Sequence, residues 1–76
     1  MIDFEGPVPL YQQVAGILRG RIESGTLVPD RPVPSITSLV QEFGVARGTA
    51  RKAVHLLIDE GLAYVVIGRG VYVTRK

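Results

Sequence analysis

Apolar residues recur at Leu10, Val14, Leu18 and Ile22, with Ile17 alongside, a spacing that predicts an amphipathic helix closed by Gly25. Gly16 and Gly20 each lower its propensity by about 1 kcal/mol relative to alanine, so packing must help to hold it. The stretch "TLVPDRPVP" that follows holds three prolines and cannot be helical; Val33 is placed to begin a short strand. Ser35 stands at an N-cap, and the helix it opens runs through Leu39, Val40 and Phe43 to stop at Gly44. After a "GVA" turn, a third helix extends from Arg47 to Glu60, with Gly61 just beyond. From Leu62 the pattern turns β-rich: "LAYVVI" and "VYVT" flank "GRG" and predict a hairpin. Val65, Val66, Ile67, Val71 and Val73 are expected in sheet and core, while Tyr64 and Tyr72 suit either face. The expectation is an α+β fold, three helices followed by a two-stranded hairpin, with residues 1–76 forming a single domain.

Composition narrows what such a domain does. A chain of 76 residues buries only roughly 60% of its unfolded surface, enough for a core but hardly for a deep substrate cavity as well. Hydrophobic residues make up 46% and charged residues 21%, the balance of a folded domain rather than a disordered one. There is no cysteine, which excludes disulfides and thiolate metal sites and fits a reducing cytoplasm. No apolar run approaches the ~18 residues of a membrane span, and the start lacks a signal-peptide pattern, so a soluble cytoplasmic protein without membrane contact is expected. One histidine, no Walker-type loop and no clustered carboxylates argue against an enzyme and against any metal or cofactor. Asp59 and Glu60 are neighbours on a helix and point about 100° apart, which does not suit a catalytic pair.

Net charge is only +2, but its placement is uneven. Gly44 to Ile58 carries Arg47, Arg51 and Lys52 without an acid, and the tail after Glu60 carries Arg69, Arg75 and Lys76 without one. Such zones suggest a surface facing a polyanion. On a helical wheel Ala50, Ala53, Val54 and Leu57 form a core-facing stripe. Arg47, Arg51 and His55 follow at i, i+4 and i+8 away from it, with Gly48, Lys52 and Asp59 beside them. A helix basic in its first two turns suits the major groove, where arginine pairs with guanine O6 and N7 or grips phosphate. Gly48 and Ala50 keep its start slim. Arg69 at the hairpin tip is placed to reach a minor groove or the DNA backbone. Arg19 and Arg21 read as solvated, and Arg75 and Lys76 as phosphate contacts or a loose tail.

Taken together, "PLYQQVAGILRGRIESGTL", "VPS", "LVQEFGVARGTARKAVHLLIDEGL" and "GRGVYV" resemble the winged-helix domain of the GntR family of bacterial transcription regulators over residues 8 to 74. The resemblance implies a winged helix-turn-helix whose third helix reads the major groove, whose wing meets the minor groove, and whose dimers bind short palindromic operators. It matches Arg47, Thr49 and Arg51 to recognition-helix contacts, Gly68 and Arg69 to the wing tip, and Ser35 to the serine opening the second helix. Three departures stand out. Ala46 replaces a capping serine or threonine; Thr37 replaces an arginine that contacts DNA in the family, leaving at most one weaker contact; and Ser38 replaces a capping-box glutamate. Members usually carry an effector-binding, dimerising domain after the wing. The chain is therefore either a DNA-binding domain of a longer regulator or one of the short single-domain members resembling those of actinobacteria, and its Met1 start favours the second. No effector pocket is expected within it. The expected function is sequence-specific binding of double-stranded DNA by two copies on an inverted repeat, through Ser35, Thr37, Arg47, Gly48, Thr49, Arg51, Lys52, Gly68 and Arg69. The rival reading is a winged helix that docks a partner protein and no DNA.

Overall fold

The computed structural model describes residues 2–75; Met1 and Lys76 lie outside the described residues. Helix α1 spans Leu10–Ser24, α2 Ile36–Phe43 and α3 Arg47–Asp59; strands β1 Ala63–Val66 and β2 Gly70–Val73 follow. The strands pair antiparallel, Ala63 opposite Val73 and Val66 opposite Gly70. No helix among the described residues is long and apolar enough to cross a membrane.

The apolar periodicity decides which faces meet. Val14, Ala15, Leu18 and Ile22 of α1 pack on Ala50, Ala53, Val54 and Leu57 of α3, with Leu39 of α2 and Val45 of the turn closing the cluster. All four residues of the stripe expected on α3 are buried. On α1, Ala15 is buried while Leu10 and Ile17 remain half-buried, because α1 crosses α3 on the side of its small residue. Ala63 and Val73, the pair at the base of the hairpin, carry the core into the sheet.

The proline-rich linker is joined to the sheet. Val33 donates its N–H to Val71 O at 2.8 Å, and Arg31 O accepts from Val73 N at 2.9 Å. Pro32, which has no N–H to give, forms an isolated bridge opposite Tyr72. The strand expected at Val33 is thus a short ladder along the outer side of β2, and Val33 itself is buried. It ties the segment before α2 to the wing.

Two expectations about the hairpin are corrected. The loop is Ile67–Gly68–Arg69, one residue earlier than "GRG", because Gly70 pairs with Val66 and Arg69 N–H closes a turn onto Val66 O at 2.9 Å. Gly68, third in that turn, has φ +78°, a position glycine fills without strain. Ile67 is consequently not in the sheet but 96% exposed at the tip, and Val65 is 59% exposed on the outer part of β1. Ala63 and Val73 at the base are fully in the core and Val71 packs half-buried against it, whereas Val65 across from Val71 is left exposed. Tyr64 and Tyr72 share one face, their rings stacked with centroids 6.1 Å apart.

Candidate nucleic-acid interface

The cations are sorted by the fold. Arg19 of α1 grips Glu60 past the end of α3 with Nε and Nη2, at 3.0 and 2.9 Å. Arg21 pairs with both carboxylate oxygens of Glu42 on α2 and lies over the Phe43 ring at 5.6 Å. Arg75 donates to Asp30 at 2.7 Å, and Asp30 also accepts from the Tyr64 hydroxyl at 3.1 Å. Arg19 and Arg21 are therefore paired charges that brace neighbouring elements, and Arg75 is tied to Asp30 through its Nε. The hydrogen bond from Arg21 holds the Glu42 carboxyl below its ordinary range, and those from Arg75 and Tyr64 do the same for Asp30. Among the described residues, Arg47, Arg51, Lys52 and Arg69 have no acidic partner. Arg31, which the charge pattern did not single out, shares this property; its place among prolines hid it.

Each of these groups is set by a local device. Helix α2 is capped by Ser35, whose Oγ accepts from Ser38 N at 3.1 Å and donates to Ser38 Oγ at 3.0 Å, half of a capping box without the glutamate's return bond to the cap N–H. It ends at Gly44, with φ +67°, whose N–H returns to Val40 O. Buried Val45 anchors the turn, and α3 starts at once. As Ala46 predicts, no side chain caps α3, so its first-turn N–H groups have no side-chain acceptor, beside exposed Arg47 and Gly48. At the other end Gly61 (φ +77°) and Leu62 donate to Ile58 O and Leu57 O, turning the chain straight into β1.

Arg47, Gly48, Arg51, Lys52 and His55 are exposed and Thr49 is half-buried. Arg47 Nη2 donates to Thr37 Oγ1 at 3.2 Å, joining the start of α3 to that of α2. A groove of about 510 Å³ separates α2 from the wing, with Ser35 and Ile36 on one wall and Arg69, Gly70 and Val71 on the other. The start of α2 thus meets α3 through the Thr37–Arg47 hydrogen bond and faces the wing across this groove. Lys52 has a different neighbour, its ammonium lying 4.4 Å from the centre of the Tyr11 ring on α1. Sequence reasoning did not single out Tyr11; only the packing of α1 against α3 shows the pairing. A second hollow, about 380 Å³ between the N-terminal segment and the α1–α2 junction, contains none of these residues. No group of three or more potential metal ligands occurs among the described residues.

Comparison with known proteins agrees with this architecture. The family described as bacterial regulatory proteins, gntR family, matches residues 10–73. The chain is 39% identical over 74 residues to the HTH-type transcriptional repressor NagR of Bacillus subtilis (strain 168), covering 97% of this chain and 30% of that protein. It is 38% identical over 71 residues to the mannosyl-D-glycerate transport/metabolism system repressor MngR of Escherichia coli (strain K12), again spanning 30% of the relative. Among solved structures, the AraR DNA-binding domain in complex with operator ORX1 superposes with a TM-score of 0.86 at 38% identity, over 97% of this chain and 95% of that one. YtrA from Sulfolobus acidocaldarius, a GntR-family transcription factor, gives a TM-score of 0.88 at 37% identity, over 100% and 80%. The three helices and hairpin are therefore a winged helix-turn-helix, and the chain belongs to the gntR family of bacterial regulatory proteins.

Proposed function

We propose that the chain, as one domain, is the DNA-reading unit of a transcription regulator acting in the cytoplasm, with no catalytic, cofactor-binding or effector-binding role of its own. Helix α3 enters the major groove, the wing meets the adjacent minor groove, and two copies occupy an inverted repeat. Arg47 and Arg51 contact base edges or phosphates; Thr49 and Lys52 hold the backbone; Gly48 lets the helix approach closely. Ser35 and Thr37 face the phosphates between the two grooves, and Gly68 shapes the tip that carries Arg69.

The observation that carries this reading is the sorting of the cations. The arginines of α1 and of the tail are neutralised by Glu60, Glu42 and Asp30, whereas those of α3 and the wing have no acid partner among the described residues. Cations left without an acid partner are the ones available to phosphate. The operator complexes of the similar AraR domain support the same assignment.

Selection from a random duplex library, at low and at moderate salt, tests it. Enrichment of an inverted repeat is the expected result, and its half-site spacing reports how two copies sit on the helix. Binding without enrichment that vanishes as salt rises marks a generic phosphate binder. Failure to bind at either salt overturns the reading in favour of a protein-docking winged helix.

A further inference from the structure

Among the described residues, Arg47 is the unpaired cation of α3 and the wing that a neighbouring element holds by a hydrogen bond, from its Nη2 to Thr37 Oγ1. The acceptor is itself well anchored. Thr37 is the second residue of α2, whose first turn is fastened by the Ser35–Ser38 hydrogen bonds. Its β-branched side chain has few rotamers. The far end of α2 is tied to α3 through Gly44 and buried Val45. The distance between the Thr37 hydroxyl and the root of Arg47 is therefore set by the helix-turn-helix itself.

A free arginine loses much of its rotamer freedom when it docks. One whose guanidinium is already directed loses less. The Thr37 hydroxyl accepts one of the five N–H bonds of the guanidinium and leaves four in the same plane for DNA. In the family pattern this position holds an arginine, which would place a second cation within hydrogen-bond reach of Arg47 and could accept nothing from it. We propose that Thr37 is a positioning residue, exchanging the direct DNA contact expected at this site for orientation of Arg47. This inference rests on the reading of α3 as the recognition helix.

The test is a double-mutant cycle on the duplex that the wild-type chain selects from a random library, with affinities from fluorescence anisotropy and melting temperatures measured alongside. Thr37→Val keeps shape and branching but removes the acceptor; Thr37→Ser keeps the hydroxyl. The expected result is that Thr37→Val weakens binding about 3- to 10-fold, a hydrogen bond's range. Thr37→Ser should stay within about twofold of wild type, and Thr37→Val should change nothing further in an Arg47→Ala background. Thr37→Ala, which drops the hydroxyl with less bulk, must agree with Thr37→Val. Equal losses in both backgrounds overturn the proposal, because the hydroxyl then acts on DNA independently of Arg47. So does a Thr37→Val chain that binds like wild type while Arg47→Ala is weak. If Arg47→Ala binds as wild type does, or no duplex is selectable, the recognition-helix reading itself falls, and this proposal with it.

Discussion

Arg51 and Lys52 are neighbours in sequence, both exposed on α3, yet their surroundings differ. Arg51 has no ion pair among the described residues, and its fork is free for a bidentate contact. Lys52 is a point charge resting on the Tyr11 ring. Arg51→Ala is expected to cost about 1–3 kcal/mol and to relax preference at one base pair, which a panel of singly substituted operators would reveal. Lys52→Ala should weaken every duplex alike and flatten the plot of log affinity against log salt by about one unit. Selective loss with Lys52→Ala, or uniform loss with Arg51→Ala, would reverse the two assignments. The type of both residues was legible in the sequence. The aromatic seat beneath Lys52 was not, because Tyr11 and Lys52 are far apart in the chain and meet only when α1 packs on α3.

At the scale of elements, helix boundaries were readable wherever a stop residue has a local cause. Gly25, Gly44 and Gly61 all adopt positive φ at helix ends, as their positions predict. The hairpin was harder. Gly68 is a turn residue as its position predicts, but Gly70 belongs to β2 and Ile67 to the loop, because a run of β-branched residues does not reveal where the strand stops. Register is settled by the pairing of Ala63 with Val73 at the core end, which leaves three residues for the loop. Gly68→Ala meets no steric obstruction, since no atom lies within 4 Å of the added carbon; its cost is the positive φ alone, about 1–2 kcal/mol. The expected outcome is a wing that loosens while the helical core persists. Amide exchange should quicken from Val66 to Gly70 with little change in α1 or α3, and operator affinity should fall.

Across the whole molecule, ion pairs brace helices that share a small core. Glu42 and Asp30 have carboxyls depressed below their ordinary values of 4.5 and 3.8, through hydrogen bonds from Arg21 and from Arg75 with Tyr64. A carboxyl with a lower pKa folded than unfolded adds stability above the unfolded value and loses it as pH falls through the folded one. The melting temperature should therefore hold steady above about pH 5 and decline below about pH 4. Glu42→Gln should shrink the acid decline and lower stability slightly at neutral pH. Both pairs are largely exposed, so 0.5 M salt should reduce the difference further. A Glu42→Gln chain with the wild-type pH profile would show that the Arg21 pair contributes nothing measurable.

The sequence by itself determined the three helices, their stops, the hairpin and the basic residues of α3, because periodicity, glycine at positive φ and proline act over a few residues. It also carried enough ordered motifs for the family to be read. Tertiary structure alone decided which charges are free. Arg19, Arg21 and Arg75 carry the same charge as Arg47 and Arg51, but their partners Glu60, Glu42 and Asp30 lie 41, 21 and 45 positions away. The same holds for the hydrogen bond between Thr37 and Arg47, ten positions apart, and for the groove that sets Ser35 opposite Arg69. Neutralisation and orientation depend on distances of a few ångströms across elements, and only the packing of α1, α2 and the wing around α3 brings those atoms together.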